Sequence, residues 1–270
     1  MNSKKVIACL GLTSILMVSN QLSASGFDIE EVRDLTLDAS GASKLRIDAG
    51  AGFLKVKGVE GLSEVRVTAE LMVDEDNYNL TLNKSGNKIV LVADANPENE
   101  SSWWSDSPFI NLTVELPKEM ALDIDDGSGE IVIEQVNGDI DLEDGSGAIS
   151  IIDIVGNLNV KDGSGSFSLK NQKGSLVLDD GSGSINIANV DGNVDIEDGS
   201  GSTTVDQITG KLNVEDGSGS LSISHVDGHV TIDDGSGGIS LSHLANGVTI
   251  LNEGSGGLSM SDVSGKVDKR

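Results

Sequence analysis

Residues 198–215 read DGSGSTTVDQITGKLNVE, and this unit of 18 residues decides the fold. Its opening tetrapeptide, Asp-Gly-Ser-Gly, recurs every 18 residues, and a last copy at Glu253 comes one residue late with Glu in place of Asp. Self-similarity at a fixed period predicts a solenoid. The aspartates that open the repeats are called the Asp ladder below, and they are Asp126, Asp144, Asp162, Asp180, Asp198, Asp216 and Asp234.

Each unit contains two stretches in which apolar and polar residues alternate. In the quoted unit one stretch includes Thr203 and Val205, and the other includes Leu212 and Val214. This alternation predicts two short strands per coil, separated by the Asp-Gly-Ser-Gly turn and by a second turn that ends in a glycine such as Gly210. Coils stacked about 4.8 Å apart bury a continuous column of Ile, Val and Leu.

We therefore predict an all-β protein, a parallel β-helix (single-stranded β-solenoid) with 18-residue coils. Aromatic residues make up 3% of the chain, and its 34 Gly against 3 Pro suit many sharp turns. Two other solenoids fit less well. Hexapeptide helices place an inward residue every six positions, and calcium-binding nonapeptide helices carry two glycine-rich turns per coil.

The chain divides into three predicted regions. Residues 1–25 have the features of a signal peptide, with Lys4 and Lys5 before an apolar run and small residues at 23–25. An uncleaved anchor is the alternative, although the apolar run is short for a membrane span. Residues 26–120 form a degenerate N-terminal β-solenoid or a capping β-region. Residues 121–270 form the regular repeats.

Within the degenerate region, residues 44–57 resemble an early coil, because Ala49-Gly50-Ala51-Gly52 stands between alternating apolar residues. Alternating runs at 64–71, 78–82, 88–92 and 110–116 predict longer strands with wider loops, arranged as larger coils or as a cap. Residues 94–108 predict a protruding loop. Its Trp103 and Trp104 are candidate partner-binding residues, and packing over the end of the solenoid is the alternative.

Charge and cysteine content limit the function. The net charge is −26, and removal of Lys4 and Lys5 makes it two units more negative. This charge opposes binding to nucleic acid and to anionic lipid, and it favours cations. The one cysteine, Cys9, lies in the predicted signal peptide. A mature chain without cysteine has no disulfide and no thiolate ligand. We expect an exported protein with no stable membrane span after signal cleavage.

The Asp ladder is the main candidate site. Stacked carboxylates repel one another, and two arrangements could offset this repulsion. In one, each Asp caps its own turn by accepting the N–H groups of the following Gly and Ser, and water screens the rest. In the other, calcium or another hard cation bridges neighbouring carboxylates and turn carbonyls. A second acidic column, interrupted by Lys161, comprises Asp125, Glu143, Asp179, Glu197, Glu215 and Asp233.

Histidines form a second candidate site. His225 and His243 occupy the same offset in neighbouring coils, and with His229 and Asp227 they suggest a zinc or nickel site. The alternative is a solvent-facing turn position, which other coils fill with Gln135, Asp153, Asn171, Asn189 and Gln207. No base recurs beside the turn serines, and the regular coils have no long loops to shape a cleft. We therefore predict that the protein is not an enzyme.

Leu116-Pro117 before a turn and strand, followed by repeated Gly-Ser-Gly-x-Ile-x-Ile and x-Val-x-Gly-x-Val-x-Ile segments, resembles the bacterial putative-adhesin family of unknown function. The resemblance extends from about residue 44 to 267. It implies an exported β-solenoid and brings no catalytic motif. This chain differs from the family pattern in its very regular and acidic turn.

Two functions follow as hypotheses. The first is a putative adhesin or surface interaction protein whose partner is a surface, a glycan or an envelope protein. The alternative is a periplasmic scaffold that binds divalent cations, and calcium is the cofactor that the sequence suggests. An uncovered last coil also predicts end-to-end self-association.

Overall fold

The structure is a computed structural model that describes residues 27–97 and 107–270, and strands and turns account for these residues. The N-terminal strands, listed in chain order, are β1 (Ile29–Asp38), β2 (Lys44–Ala51), β3 (Leu54–Val59), β4 (Glu64–Val73), β5 (Asn79–Ser85), β6 (Lys88–Asp94) and β7 (Phe109–Pro117). Strand β8 (Ala121–Glu134) is the longest and begins the regular region. The signal peptide and the Trp103-Trp104 pair lie outside the described residues.

From β8 onward, every coil contributes one short and one long strand. The short strands are β9 (Ile140–Asp144), β11 (Leu158–Asp162), β13 (Leu176–Asp180), β15 (Val194–Asp198), β17 (Leu212–Asp216), β19 (Val230–Asp234), β21 (Val248–Glu253) and β23 (Val267–Lys269). The long strands are β10 (Gly147–Val155), β12 (Gly165–Lys173), β14 (Gly183–Asp191), β16 (Gly201–Ile208), β18 (Gly219–Val226), β20 (Gly237–Leu244) and β22 (Leu258–Val263).

Two parallel sheets result, one from each set of strands. In sheet B the short strands pair with those one coil away, as Leu176 does with Leu158 and Val194. In sheet A the long strands pair in the same way, as Ile185 does with Phe167 and Thr203. The molecule is a parallel β-solenoid of about 8 turns with coils of about 18 residues. The predicted fold class is confirmed.

The core lies between the two sheets and is built from the alternating apolar positions. Leu176 and Leu178 of sheet B and Ile185 and Ile187 of sheet A are each at most 1% exposed. Phe167 is the largest of the fully buried side chains. Because one residue in two points inward on both sheets, each coil can bury its apolar side chains only against its neighbours and the opposite sheet.

The N-terminal region contains parallel coils followed by antiparallel strands. Strands β2 and β3 form a coil that stacks directly on β8, with Ala49 opposite Asp126 and Leu54 opposite Ile131, which confirms the early coil. Strands β6 and β7 run parallel to β2 and β3 and form the coil beyond them. Antiparallel strands then extend the stack: β4 and β1 follow β7 in sheet A, and β5 follows β6 in sheet B. Strand β1 was not predicted from the sequence.

The irregular last repeat has a simple structural cause. Ile232 pairs with Ile250, but Asp233 pairs with Asn252, so the register between β19 and β21 shifts by one residue. The extra residue is Leu251, whose side chain is 39% exposed. A bulge accommodates one additional residue in a strand, and this one returns Glu253 to the position opposite Asp234.

Candidate functional site

The Asp ladder lies inside the solenoid. Each of its members from Asp144 onward is the last residue of a short strand, two positions after one buried apolar residue and four after another, as in Ile140-Asp141-Leu142-Glu143-Asp144. Residues two apart on a strand share a face. The aspartates therefore continue the inward row of sheet B, stacked in register from Asp126 to Asp234.

The carboxyl groups are shielded from solvent. The ladder aspartates are between 1% and 6% exposed, which is unusual for an acidic residue. Turn capping occurs as predicted through the serine: the N–H groups of Ser146, Ser164 and Ser182 donate to the Oδ1 atoms of their own aspartates at 2.9–3.2 Å. Screening by water was a wrong expectation, because alternation with the core residues turns these side chains inward.

The glycine N–H of the turn bonds to the preceding coil. Gly145 N–H donates to the main-chain carbonyl of Asp126 at 3.0 Å, and Gly163 N–H donates to that of Asp144 at 2.9 Å. These bonds join successive coils. The predicted contact of the glycine N–H with its own aspartate occurs at Asp144, where the Gly145 N–H opposes the rise in the pKa of the carboxyl group.

Burial changes the acidity of the ladder. Burial, together with the carboxylates of Asp144 and Asp125, raises the pKa of Asp126 to about 7. Burial and neighbouring ladder carboxylates raise the pKa of Asp162, Asp180 and Asp216 to about 6. The low dielectric of the core disfavours the charged form of a carboxyl group, and a nearby like charge adds to the effect.

Every ladder carboxyl group has at least one buried oxygen without a hydrogen-bond partner, the Oδ2 atoms of Asp126, Asp144 and Asp162 among them. In one coil a side chain from the core supplies the donor. Thr203 occupies a core position that holds Ile149, Phe167 or Ile185 in other coils, and its hydroxyl donates to Asp198 Oδ2 at 2.8 Å. A buried polar oxygen without a partner carries a desolvation cost, which this threonine relieves locally.

The residues that precede the ladder point outward and form the second acidic column in sheet B. Lys161 interrupts this column and lies 3.6 Å from Glu143. Among residues 27–97 and 107–270, no three histidine, cysteine or acidic side chains converge in the manner of a metal site. Calcium binding by the Asp ladder stays a prediction.

The two outer faces differ strongly in charge. On sheet B the outward positions carry the acidic column and, two residues earlier, Asp123, Asp141 and Asp195; this surface is called the acidic face. On sheet A the outward positions of β12, β14, β16, β18 and β20 form a surface of mostly short polar side chains, called the hydroxyl face, in which the charged residues are Lys170, Lys173, Asp191 and Asp206. It includes Ser166, Ser168, Ser184, Asn186, Ser202, Thr204, Ser220, Ser222, Ser240 and Ser242.

The histidines lie where the solvent-facing alternative places them. His225 and His243 have φ of 52° and 54°, and the same left-handed conformation recurs at this offset from Gln135 to Asp262. Asn, Asp and His tolerate that conformation better than most residues, which accounts for the residue types at this position. The amides form a ladder of their own, since Asn171 Nδ2 donates to Asp153 Oδ1 and Asn189 Nδ2 donates to Asn171 Oδ1, both at 2.8 Å.

The structure brings two of the three histidines together. The rings of His225 and His243 stack with centroids 4.6 Å apart and an interplanar angle of 13°. His225 Nδ1 lies 2.7 Å from Asp206 Oδ1. His229 is engaged elsewhere, through the Asn246 carbonyl and the Thr249 hydroxyl at 3.0 Å each. A zinc or nickel site stays a prediction, although lone pairs in the planes of nearly parallel rings do not converge on one point.

Comparison with known proteins establishes the family. The sequence profile of the Toastrack DUF4097 family matches residues 32–246. The chain belongs to this family. Comparison with curated proteins found no match.

Solved structures are similar to this Toastrack DUF4097 chain to different degrees. A putative adhesin from Bacteroides fragilis is similar with a TM-score of 0.52 at 14% identity, covering 88% of this chain and 100% of that chain. A putative cell adhesion protein from Clostridium sporogenes has a TM-score of 0.30 at 12% identity, with 90% and 100% covered. At this identity the first likeness concerns the fold. In the part of the chain that the structure describes, no helix has the length and hydropathy to cross a membrane.

Proposed function

We propose that this protein is an exported, non-enzymatic surface interaction protein of the adhesin type, and that the hydroxyl face makes its contacts. The observation that carries the proposal is the contrast between the two faces. The hydroxyl face presents short Ser, Thr and Asn side chains on a nearly uncharged sheet. Such groups donate and accept hydrogen bonds at little cost in side-chain entropy.

The partner that fits this face is a surface rich in hydroxyl groups, such as a neutral glycan. Regular coils place equivalent side chains about 4.8 Å apart along the axis, so a repetitive polymer can bind many equivalent positions at once. The acidic face repels anionic surfaces and keeps the rod soluble. The Bacteroides fragilis protein of similar fold is named a putative adhesin, and this name agrees with the proposed type of function.

The test places the same charge on one face or the other. The triple variant Ser168→Glu, Thr204→Glu, Ser222→Glu alters the hydroxyl face, and Asn159→Glu, Asn213→Glu, Thr231→Glu is the matched control on sheet B. We expect the first variant to lose adhesion of expressing cells to glycan-coated surfaces and the second to keep it. Equal adhesion by both variants would reject the hydroxyl face as the contact surface.

Location needs a separate measurement. Intact cells that express a tagged copy are treated with protease beside a known periplasmic protein. Loss of the tag with survival of the control agrees with a surface protein. Survival of both supports the second candidate, a periplasmic scaffold, for which the acidic face offers an attraction for cations.

A further inference from the structure

The Asp ladder combines burial, register and missing hydrogen-bond partners. Successive ladder residues are opposite each other in a parallel sheet, so their backbones are about 4.8 Å apart. Both carboxyl groups of such a pair lie on the core side of sheet B, and the ladder aspartates are at most 6% exposed. Each has an oxygen that no donor in the described residues satisfies.

A donor for these oxygens must come from outside the ladder's present hydrogen bonds. At Asp162 and Asp180 the nearby N–H groups are already used, the serine N–H by the other carboxylate oxygen and the glycine N–H by a main-chain carbonyl of the preceding coil. Main-chain carbonyls that a cation would need are also engaged between coils, as Ser164 and Ser182 carbonyls are with Gly147 and Gly165. A proton shared between two carboxyl groups, in contrast, needs no ligand other than the neighbouring carboxyl group.

We propose that the Asp ladder is a proton-sharing column, in which a protonated carboxyl group donates its O–H to the unpartnered oxygen of the next aspartate along the stack. The proton comes from solvent and no covalent bond in the chain changes. Each shared proton removes one buried charge and supplies one missing hydrogen bond. The rod is therefore most stable under mildly acidic conditions.

The surroundings of the ladder favour this state. Opposite the aspartates, sheet A presents apolar side chains such as Ile149 and Phe167, with Thr203 as the polar exception. The charged neighbours on the same strands, such as Asp179 and Lys161, point outward. Ala49 is opposite the first ladder residue.

The far end of the ladder carries one more acidic group. Glu253 is opposite Asp234, and Lys269 forms an ion pair with Glu253 at 2.6 Å. No histidine, lysine or arginine of the described residues forms an ion pair with a ladder aspartate. Within the described part of the chain, the ladder's charge is therefore not neutralised by a basic side chain.

The direction of the pH effect follows from the raised acidities. The pKa of Asp162 and Asp180 rises from 3.8 to about 6, so between these values the folded rod binds more protons than the unfolded chain. Stability is then highest at the acidic end of this window and falls as the pH rises through about 6, and through about 7 for Asp126. Many proteins show the opposite trend on acidification.

The experiment compares the double variant Asp162→Asn, Asp180→Asn with the control Glu197→Gln, Glu215→Gln, which removes the same charge from the outward column. Asparagine supplies a permanent N–H donor in place of the proton. We expect the wild-type Tm to rise by at least about 2–4 °C from about pH 8 to about pH 5. The ladder variant should have a higher Tm at the alkaline end and a flatter pH profile, whereas the control should keep the wild-type slope.

Two further measurements on the wild-type protein do not depend on how the variants fold. Infrared difference spectra should show a protonated buried carboxyl band that disappears as the pH rises through about 6 to about 7. Its absence at about pH 5 overturns the proposal. A Tm at alkaline pH that rises with calcium chloride and falls with EDTA also overturns it, in favour of a bridging cation.

Discussion

Thr203 shows how a polar side chain is accommodated in the core. It replaces an apolar residue at an inward position and is fully buried, and its hydroxyl bonds to Asp198. Threonine is smaller than the isoleucine or phenylalanine that other coils hold at this position, so the exchange gives up some apolar packing. The gain is a hydrogen bond for a carboxyl group that would otherwise lack one.

We predict that Thr203→Val destabilises the protein by about 1–3 kcal/mol at about pH 8, because a buried carboxylate loses its donor. Urea denaturation at about pH 8 measures the effect. The control is Thr204→Val, whose side chain faces solvent. Equal losses in both variants would contradict a role for the buried hydroxyl.

The second turn of each coil shows how tightly the elements stack. A Cβ atom built on Gly210 would lie 2.2 Å from the Gly192 carbonyl oxygen, and one on Gly228 would lie 2.0 Å from the Gly210 carbonyl oxygen. These are main-chain atoms of the preceding coil. Glycine is required here by the close approach of two backbones, since neither residue has a positive φ.

We predict that Gly210→Val and Gly228→Val each lower the free energy of unfolding by at least about 1–3 kcal/mol, because the coils must separate to admit the side chain. Thermal unfolding followed by circular dichroism measures the loss. Gly238→Val is the matched control, since its Cβ would meet only the Gly257 carbonyl oxygen at 4.0 Å. Unchanged melting of the turn variants would refute the stacking geometry at this turn.

For the molecule as a whole, charge is distributed by face. The outward acidic column of sheet B places Asp179, Glu197 and Glu215 opposite one another in consecutive coils. Like charges directly opposite each other on neighbouring strands are destabilising. At Lys161 the column instead contains an ion pair with Glu143.

We therefore predict that Glu197→Lys stabilises the rod by up to about 1 kcal/mol at low ionic strength, because it replaces two repulsions with two attractions. The gain should shrink as salt is added, since exposed charges are screened. Thermal melts at low and high ionic strength measure it. Ser222→Lys adds the same kind of charge to the hydroxyl face and should have little effect. A similar gain in both variants would indicate that only the net charge matters.

The sequence alone determined the architecture. A chain with an 18-residue period and two alternating stretches per repeat buries its apolar residues by stacking its coils. The early coil at Ala49-Gly50-Ala51-Gly52 followed from the same pattern, as its register with Asp126 and Ser128 shows. The late position of Glu253 was visible in the sequence, and the structure shows that a bulge at Leu251 accommodates the extra residue. Strand β1 and the antiparallel pairings near the N-terminus were not predictable, since degenerate repeats carry no period from which to read a register.

Only the tertiary structure decided which way the ladder aspartates point. The alternation in Ile140-Asp141-Leu142-Glu143-Asp144 was a signal, but a turn residue can leave the strand's alternation, so the sequence left solvent exposure open. Stacking resolves the question, because the in-register sheet continues through Asp144 and Asp162 and holds both side chains on the core side. Burial between two sheets, a property of the assembled coils rather than of any one repeat, then changes the chemistry of these carboxyl groups.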